Sequence, residues 1–253
     1  MYLQHNPPPL PIINQGQSPQ NTRSDSYRAD DINNVGHWAG FNLTSKQQQF
    51  GPLLAAAGIP DEPFQPSPPR PINSEAAVRS RIDAYLTNRI IRALRCGFSH
   101  LQTTQQLANL TVVKYDVGQM AATPSGFIPD FAFFDPDLDP RTRPNRVPGD
   151  AKPSYKWSFA LKNHLKPSSR DEFKQALSQV NYYMKLHHAR YGFIITDREL
   201  VAIRRLDEDG NLELSTPIPW TAKGTASEPR LTVLLGVWYL GMLAANNQVW
   251  YLH

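Results

Sequence analysis

The sequence predicts an α/β domain: a central mixed β-sheet flanked by helices, in the order α-β-β-β-α-β, with a proline-rich N-terminal extension. Three observations lead there. Apolar residues recur at three- and four-residue spacing in two long stretches, and short extended runs lie between and after them. Of the 253 residues 40% are hydrophobic, enough for one medium-sized core. The 23 prolines are unevenly placed, twelve of them within residues 1–71. A single cysteine, Cys96, excludes a disulfide scaffold and a cysteine-based zinc cluster, because both need several thiols at fixed spacing. It leans toward a reducing compartment, and its place beside a helix end suits a small core residue.

Residues 1–71 join the runs Pro7 to Pro9 and Pro66 to Pro71 to much Gln, Asn and Ser. That composition buries too little apolar area to offset backbone entropy, so the segment is expected to be disordered or loosely draped. Within it, Pro52 to Gly58 suits a helical turn or two against the domain. No basic stretch followed by an apolar run opens the chain, so no signal peptide is expected and the location read is intracellular, cytoplasmic or nuclear.

The folded domain is expected over 72–253. Ser74 caps a helix whose apolar positions Ala77, Val78, Ile82, Tyr85, Leu86, Ile90, Ala93 and Leu94 share a face, closed by Gly97 after about six turns. Extended runs follow at Thr111 to Val117 and Phe127 to Phe134, then a polar connection to Pro148 and a third strand candidate at Gly149-Asp150-Ala151-Lys152. A second helix is expected from Ser169 to Arg190, with Asp171 and Glu172 in its first turn, where the helix dipole favours them. Tyr191 to Thr196 and Leu200 to Leu206 read as strands and Asp207 to Asn211 as a turn. The apolar run Leu231 to Ala245 falls short of the roughly twenty residues that span a bilayer, so it reads as a buried core helix.

The net charge of +4 hides an uneven division. Residues 1–71 carry four Lys/Arg against five Asp/Glu, and 72–253 carry 22 against 17. Within the latter, positions 141–190 hold eleven basic residues and three acidic, while 98–140 hold only Lys114 against five acids. A basic run such as Arg141, Arg143, Arg146, Lys156, Lys162, Lys166 and Arg170 suits a nucleic-acid backbone, through charge neutralisation.

Asp150 and Lys152, two apart on a strand, project to the same face, and Asp130 can face them if its strand returns alongside. Two converging carboxylates repel unless a cation separates them; hard oxygen ligands suit Mg²⁺ or Mn²⁺ at about 2.1 Å, and the Ala151 carbonyl would add an oxygen. Pro148 and Pro153 bracket the triplet and make its strand short or bulged, since proline cannot donate to a ladder.

Pro129-Asp130 followed by Asp150-Ala151-Lys152 resembles the PD-(D/E)xK signature of the restriction-endonuclease-like nuclease superfamily, with D-x-K for the commoner E-x-K. Glu75 opens the preceding helix, and Gln179 with Tyr183 on the following one is similar to the Q-x-x-x-Y motif of the branch that includes bacterial recombination nucleases. The run from Gly149 to Trp157 and on to Tyr191 through Asp197 resembles PD-(D/E)xK-like domains common in fungal proteomes. The likeness covers about 75–206; residues 1–71 match no pattern. It implies a restriction-endonuclease-like core and Mg²⁺-dependent (or Mn²⁺-dependent) hydrolysis of phosphodiester bonds, with DNA expected ahead of RNA. Asp130 and Asp150, with the Ala151 carbonyl, would hold the metal, and Glu75 would be an auxiliary ligand or the base that orients the water. Lys152 would position or activate the attacking water, Gln179 would orient substrate or metal, and Tyr183 would border the nucleic acid. No membrane partner is implied, and a homodimer is compatible.

Blander readings stand beside these. Asp130 also suits a turn after proline, Asp150 and Lys152 a surface pair, Glu75 a helix first turn, Gln179 a solvated helix position and the basic run a solvated loop. Trp157 and Tyr155 suit core packing as well as base stacking. His187-His188 read as dipole and surface decoration near a helix end. The alternative function is a catalytically inactive module of the same fold that binds nucleic acid or protein, or one module of a toxin or effector system.

Overall fold

The computed structural model describes residues 1–13, 16, 18–66 and 68–252. Asn14, Gln15, Gln17 and Ser67, within the expected loose extension, and His253 lie outside the described residues.

Among the described residues eight strands form one mixed sheet. They are β1 (Asn34–His37), β2 (Lys114–Val117), β3 (Phe131–Phe134), β4 (Gly149–Lys152), β5 (Tyr191–Thr196), β6 (Glu199–Arg205), β7 (Asn211–Leu214) and β8 (Ile218–Pro219). The order across the sheet is β1-β7-β6-β5-β4-β3-β2, with β8 paired to β6; β4/β5 and β1/β7 are parallel and the other pairs antiparallel. The helices are α1 (Leu43–Ala56), α2 (Glu75–Ile82), α3 (Asn88–Thr103), α4 (Pro167–Leu186) and α5 (Val233–Ala245). Together α2 and α3 form the single long helix the sequence predicts, continuous through a π-helical turn at Asp83–Thr87. The sheet flanked by helices is the α/β architecture expected.

Strand alternation sorts the core into two faces. Phe131, Phe133, Phe193, Ile195, Leu200 and Ala202 point into one apolar cluster with α2, α3 and α5, while Ile194, Val201 and Ile203 point the other way, onto α4. All thirteen residues of α5 are buried, which explains why its apolar run has no polar face: it is a core helix. Among the described residues no helix is long and apolar enough to cross a membrane.

The described part of residues 1–71 is draped over the rest of the molecule, largely exposed from 60 to 71, and is anchored by a few buried side chains where the composition gave no reason to expect any. Tyr2, Leu3, Leu10, Trp38 and Phe41 join the main core, Tyr27 and Ile32 are also buried, and β1 extends the sheet, which therefore runs across the expected boundary at 71/72. The segment needs no core of its own because side chains of the rest of the molecule satisfy its backbone: Trp220 donates to Pro8 O at 2.8 Å, Gln175 to Thr22 O at 3.0 Å, Lys174 to Ile32 O at 2.9 Å and Thr232 to Leu3 O at 2.5 Å. Gly210 in the β6–β7 turn has φ +77°, and a Cβ there would strike the Asp31 carbonyl, so glycine admits the extension at that point.

Candidate functional site

β4 is a central strand despite its flanking prolines. It pairs in parallel with β5 along its whole length, and Pro148, which cannot donate, accepts from Phe193 N at 3.2 Å. A side chain at Gly149 would collide with the Phe193 ring, so the strand must open on glycine. Toward β3 the pairing is a single residue pair, Phe131 with Gly149. Beyond it the strands part and a carboxylate takes the ladder position: Ala151 N donates to Asp130 Oδ2 at 2.9 Å. Counting on from that pair sets Asp130 opposite Asp150 and Pro129 opposite Ala151. The Ala151 carbonyl points to the same side as its N–H, where proline has no N–H to offer it.

The first turn of α2 closes the cluster. Lys152 Nζ lies 2.7 Å from Asp150 Oδ2 and 2.9 Å from Glu75 Oε1, and Lys156 Nζ sits 3.0 Å from Glu75 Oε2. Arg79, one turn after Glu75 on the same helix face, reaches Asp130 Oδ1 at 3.2 Å. Glu75, Asp130, Asp150 and Lys152 thus converge from three separate segments. Lys152 is wholly buried and Asp150 only 3% exposed. Burial pushes the Asp150 carboxyl up to about 7, helped by Asp130 and Glu75 and opposed by Lys152. Burial likewise raises Asp130, against its bond from Ala151 N and the charges of Lys152 and Arg79. For Lys152 burial works downward, but Asp150 and Glu75 outweigh it and hold the ammonium charged.

From α4, Gln179 Nε2 donates to Tyr183 Oη at 2.9 Å, both residues buried. Among the described residues Gln179 Oε1 has no hydrogen-bond partner, and Asp150 Oδ2 receives no well-directed hydrogen bond although Lys152 is beside it. Gln175, on the same helical face, holds Thr22 instead. Tyr183 is raised by burial and then by Asp150, and Tyr27 by burial against the pull of Lys152, so both phenols sit in the field of the cluster.

The predicted phosphate-binding residues divide. Arg141 and Lys166 are exposed, as is Arg170. Lys156 is tied to Glu75, and Lys162 donates to Val35 O at 2.9 Å. Arg143 and Arg146 are corrections: both are buried. Arg143 lies over the Phe134 ring, and Arg146 donates to Ala244 O at 3.1 Å, so they fasten the β3–β4 connection to the core instead of facing a ligand. Tyr183 faces the carboxylates from within the core and offers no nucleic-acid surface. His187 is likewise no surface decoration: it is buried and its Nδ1 accepts from Asn145 N at 3.2 Å, whereas His188 is exposed. Trp157 packs in the core, stacked on Phe173.

Arg79 and Tyr27 were not foreseen from sequence. Arg79 had a signal, its four-residue spacing from Glu75; Tyr27 had none, because it comes from a segment whose composition gave no reason to expect packing. As for a metal, among the described residues no group of three or more His, Cys, Asp or Glu is arranged to hold an ion, and both oxygens of Glu75 are engaged by ammonium groups. Asp130, Asp150 and the Ala151 carbonyl are an oxygen-only donor set of the kind a small hard cation takes, and an ion would share there the oxygens that Arg79, Ala151 N and Lys152 already engage. No protein-family model matches the chain, and no curated protein or solved structure matches it.

Proposed function

We propose that the chain is a divalent-cation-dependent nuclease of the restriction-endonuclease-like kind, hydrolysing phosphodiester bonds of DNA ahead of RNA. The observation that carries the reading is the convergence of Glu75, Asp130, Asp150 and Lys152 where β3 and β4 part. A salt bridge closes this cluster across 77 residues of sequence. The helix–strand–strand–strand–helix–strand order around it supports the fold assignment.

Asp130 and Asp150, with the Ala151 carbonyl, would hold Mg²⁺ or Mn²⁺; the ion would lower the pKa of bound water and stabilise charge developing on the phosphate. The chain's own residues do the rest. Lys152, held charged, is a poor proton acceptor, so its role is electrostatic: from beneath Asp150 and Glu75 its buried ammonium would add positive potential where negative charge grows on the phosphate. Glu75 positions Lys152 and Lys156 by bonding both. Arg79 and Ala151 N fix the two oxygens of Asp130. Gln179 and Tyr183 wall the α4 side.

Purified protein with Mg²⁺ or Mn²⁺ should cleave DNA, and Asp150→Ala and Lys152→Ala should each abolish cleavage. Since Asp150 must lose its proton to ligate, cleavage should rise with pH through about 7. No activity, or activity untouched by both substitutions, refutes the reading.

One observation favours the second reading, an inactive binding module: Lys152 is fully buried and already neutralised by Asp150 and Glu75. Salt-sensitive nucleic-acid binding without cleavage would select it.

A further inference from the structure

The exposure of the cluster restricts what can enter it. Asp150 and Lys152 are sealed, and the Asp130 and Glu75 side chains keep only 15% and 32% of their surface. A reacting phosphate must therefore reach the cluster past Asp130 and Glu75, the two members that keep surface. In a duplex the bases are stacked inward and the backbone follows the helix, so a phosphate can press on an open surface but cannot be drawn toward largely buried groups together with its own bases. A single strand can, because its bases splay onto side chains.

Tyr27, whose phenol sits in the field of Lys152, Asp150 and Glu75, belongs to a group of three aromatic rings from three segments. Phe127, three residues before Asp130, meets Tyr182 edge-on at 4.9 Å and Tyr27 at 6.3 Å; Tyr27 and Tyr182 are 5.8 Å apart. Tyr182 adjoins Tyr183, and Tyr27 has no hydrogen-bond partner for its hydroxyl among the described residues. Phe127 and Tyr182 each keep part of their surface in solvent. Next to Tyr27 the Arg28 side chain is 69% exposed and paired at 3.6 Å with the fully exposed Asp25.

We propose that Phe127 and Tyr182, backed by Tyr27, are the platform on which a nucleobase flanking the scissile phosphate stacks, and that the substrate is therefore single-stranded nucleic acid. The inference rests on the nuclease reading and narrows it. Base-on-aromatic stacking tolerates any base, so the platform would select strandedness and not sequence.

Fluorescence anisotropy in EDTA tests this without cleavage, using oligothymidylate, oligouridylate and a DNA hairpin of matched length on the full chain. One or both single strands should bind about tenfold tighter than the hairpin. Phe127→Leu should weaken single-strand binding about tenfold, and Phe127→Trp should restore it, with indole fluorescence quenched on binding. Hairpin binding as tight as single-strand binding, a Phe127→Leu protein that folds and binds undiminished, or a Phe127→Trp protein whose fluorescence does not change would each overturn the proposal. The two readings fail separately: wild-type protein that cleaves the hairpin in Mg²⁺ yet binds single strands no better sinks only this one, and no cleavage of any probe in Mg²⁺ sinks the nuclease reading.

Discussion

The two faces of the sheet are built from the same strands and differ in kind. Toward α3 and α5, the inward residues of β3 and β5 and the inward Leu200 and Ala202 of β6 are apolar and join one continuous cluster, with Arg204 at its margin over Trp38. Toward α4 the cluster is smaller, and alongside it the molecule buries Asp150, Lys152, Gln175, Ser178, Gln179 and Asn181. The alternation within β4 draws the line: Ala151 packs on the apolar face while its neighbours Asp150 and Lys152 project onto the other. The lesson is a division of labour. Burying a charged cluster opposes folding, and a second face built mainly of apolar side chains lets a domain of this size carry one.

The largest test of that division lies on the apolar face. Trp238, buried on α5, packs edge-on with Phe50, and Trp238→Ala should cost about 3–5 kcal/mol in urea denaturation. A loss under ~1 kcal/mol would show that this face is not the main source of stability.

Next in size is the charged cluster. Lys152→Met leaves Asp150 buried beside Asp130 without its cation and should cost roughly 3 kcal/mol, toward the low end for a broken buried pair because Asp150 can take up a proton. Adding Asp150→Leu should recover most of the loss, since replacing both partners removes the uncompensated charge. If the double variant is less stable than Lys152→Met alone, the cluster is a structural asset and the contrast between the faces is weaker than drawn.

The same contrast governs what could be read in advance. Elements with a strong apolar period were legible: the helix from Ser74, β5, β6 and the closing helix all stand where spacing places them, and Asp130, Asp150, Lys152 and Glu75 meet as the motif order implies. What escaped depended on distant partners. Residues 1–71 look unfoldable by composition, yet a few anchors such as Tyr2, Trp38 and Phe41 suffice once the core supplies donors for their backbone. β1 and β7 are four-residue strands with no local signal of pairing. Arg143 and Arg146 lie in a basic run that reads as surface, and only the tertiary structure reveals that they span the interior; His187 hides for the same reason, since nothing in the sequence announces Asn145 above it.

The smallest effect should appear in the pH dependence of stability, where two groups oppose each other. Asp150 is raised from 3.8 to about 7, so between those values the folded state holds a proton that the unfolded chain has released, and this group makes stability fall as pH rises. His187 is lowered by burial, and further by His188, from 6.5 to about 4; between those values the unfolded chain holds the extra proton, so this group makes stability rise with pH. The windows overlap from about pH 4 to 6.5, and each slope is bounded by about 1.4 kcal/mol per pH unit. Their contributions in the wild-type protein should therefore largely cancel there. Single variants should separate them: relative to wild type, Asp150→Asn should gain stability with rising pH up to about 7, and His187→Gln should gain it with falling pH below 6.5. Parallel curves for all three proteins would mean that neither group titrates differently on folding, and with that the electrostatic contrast between the α4 side and the rest of the molecule would fail.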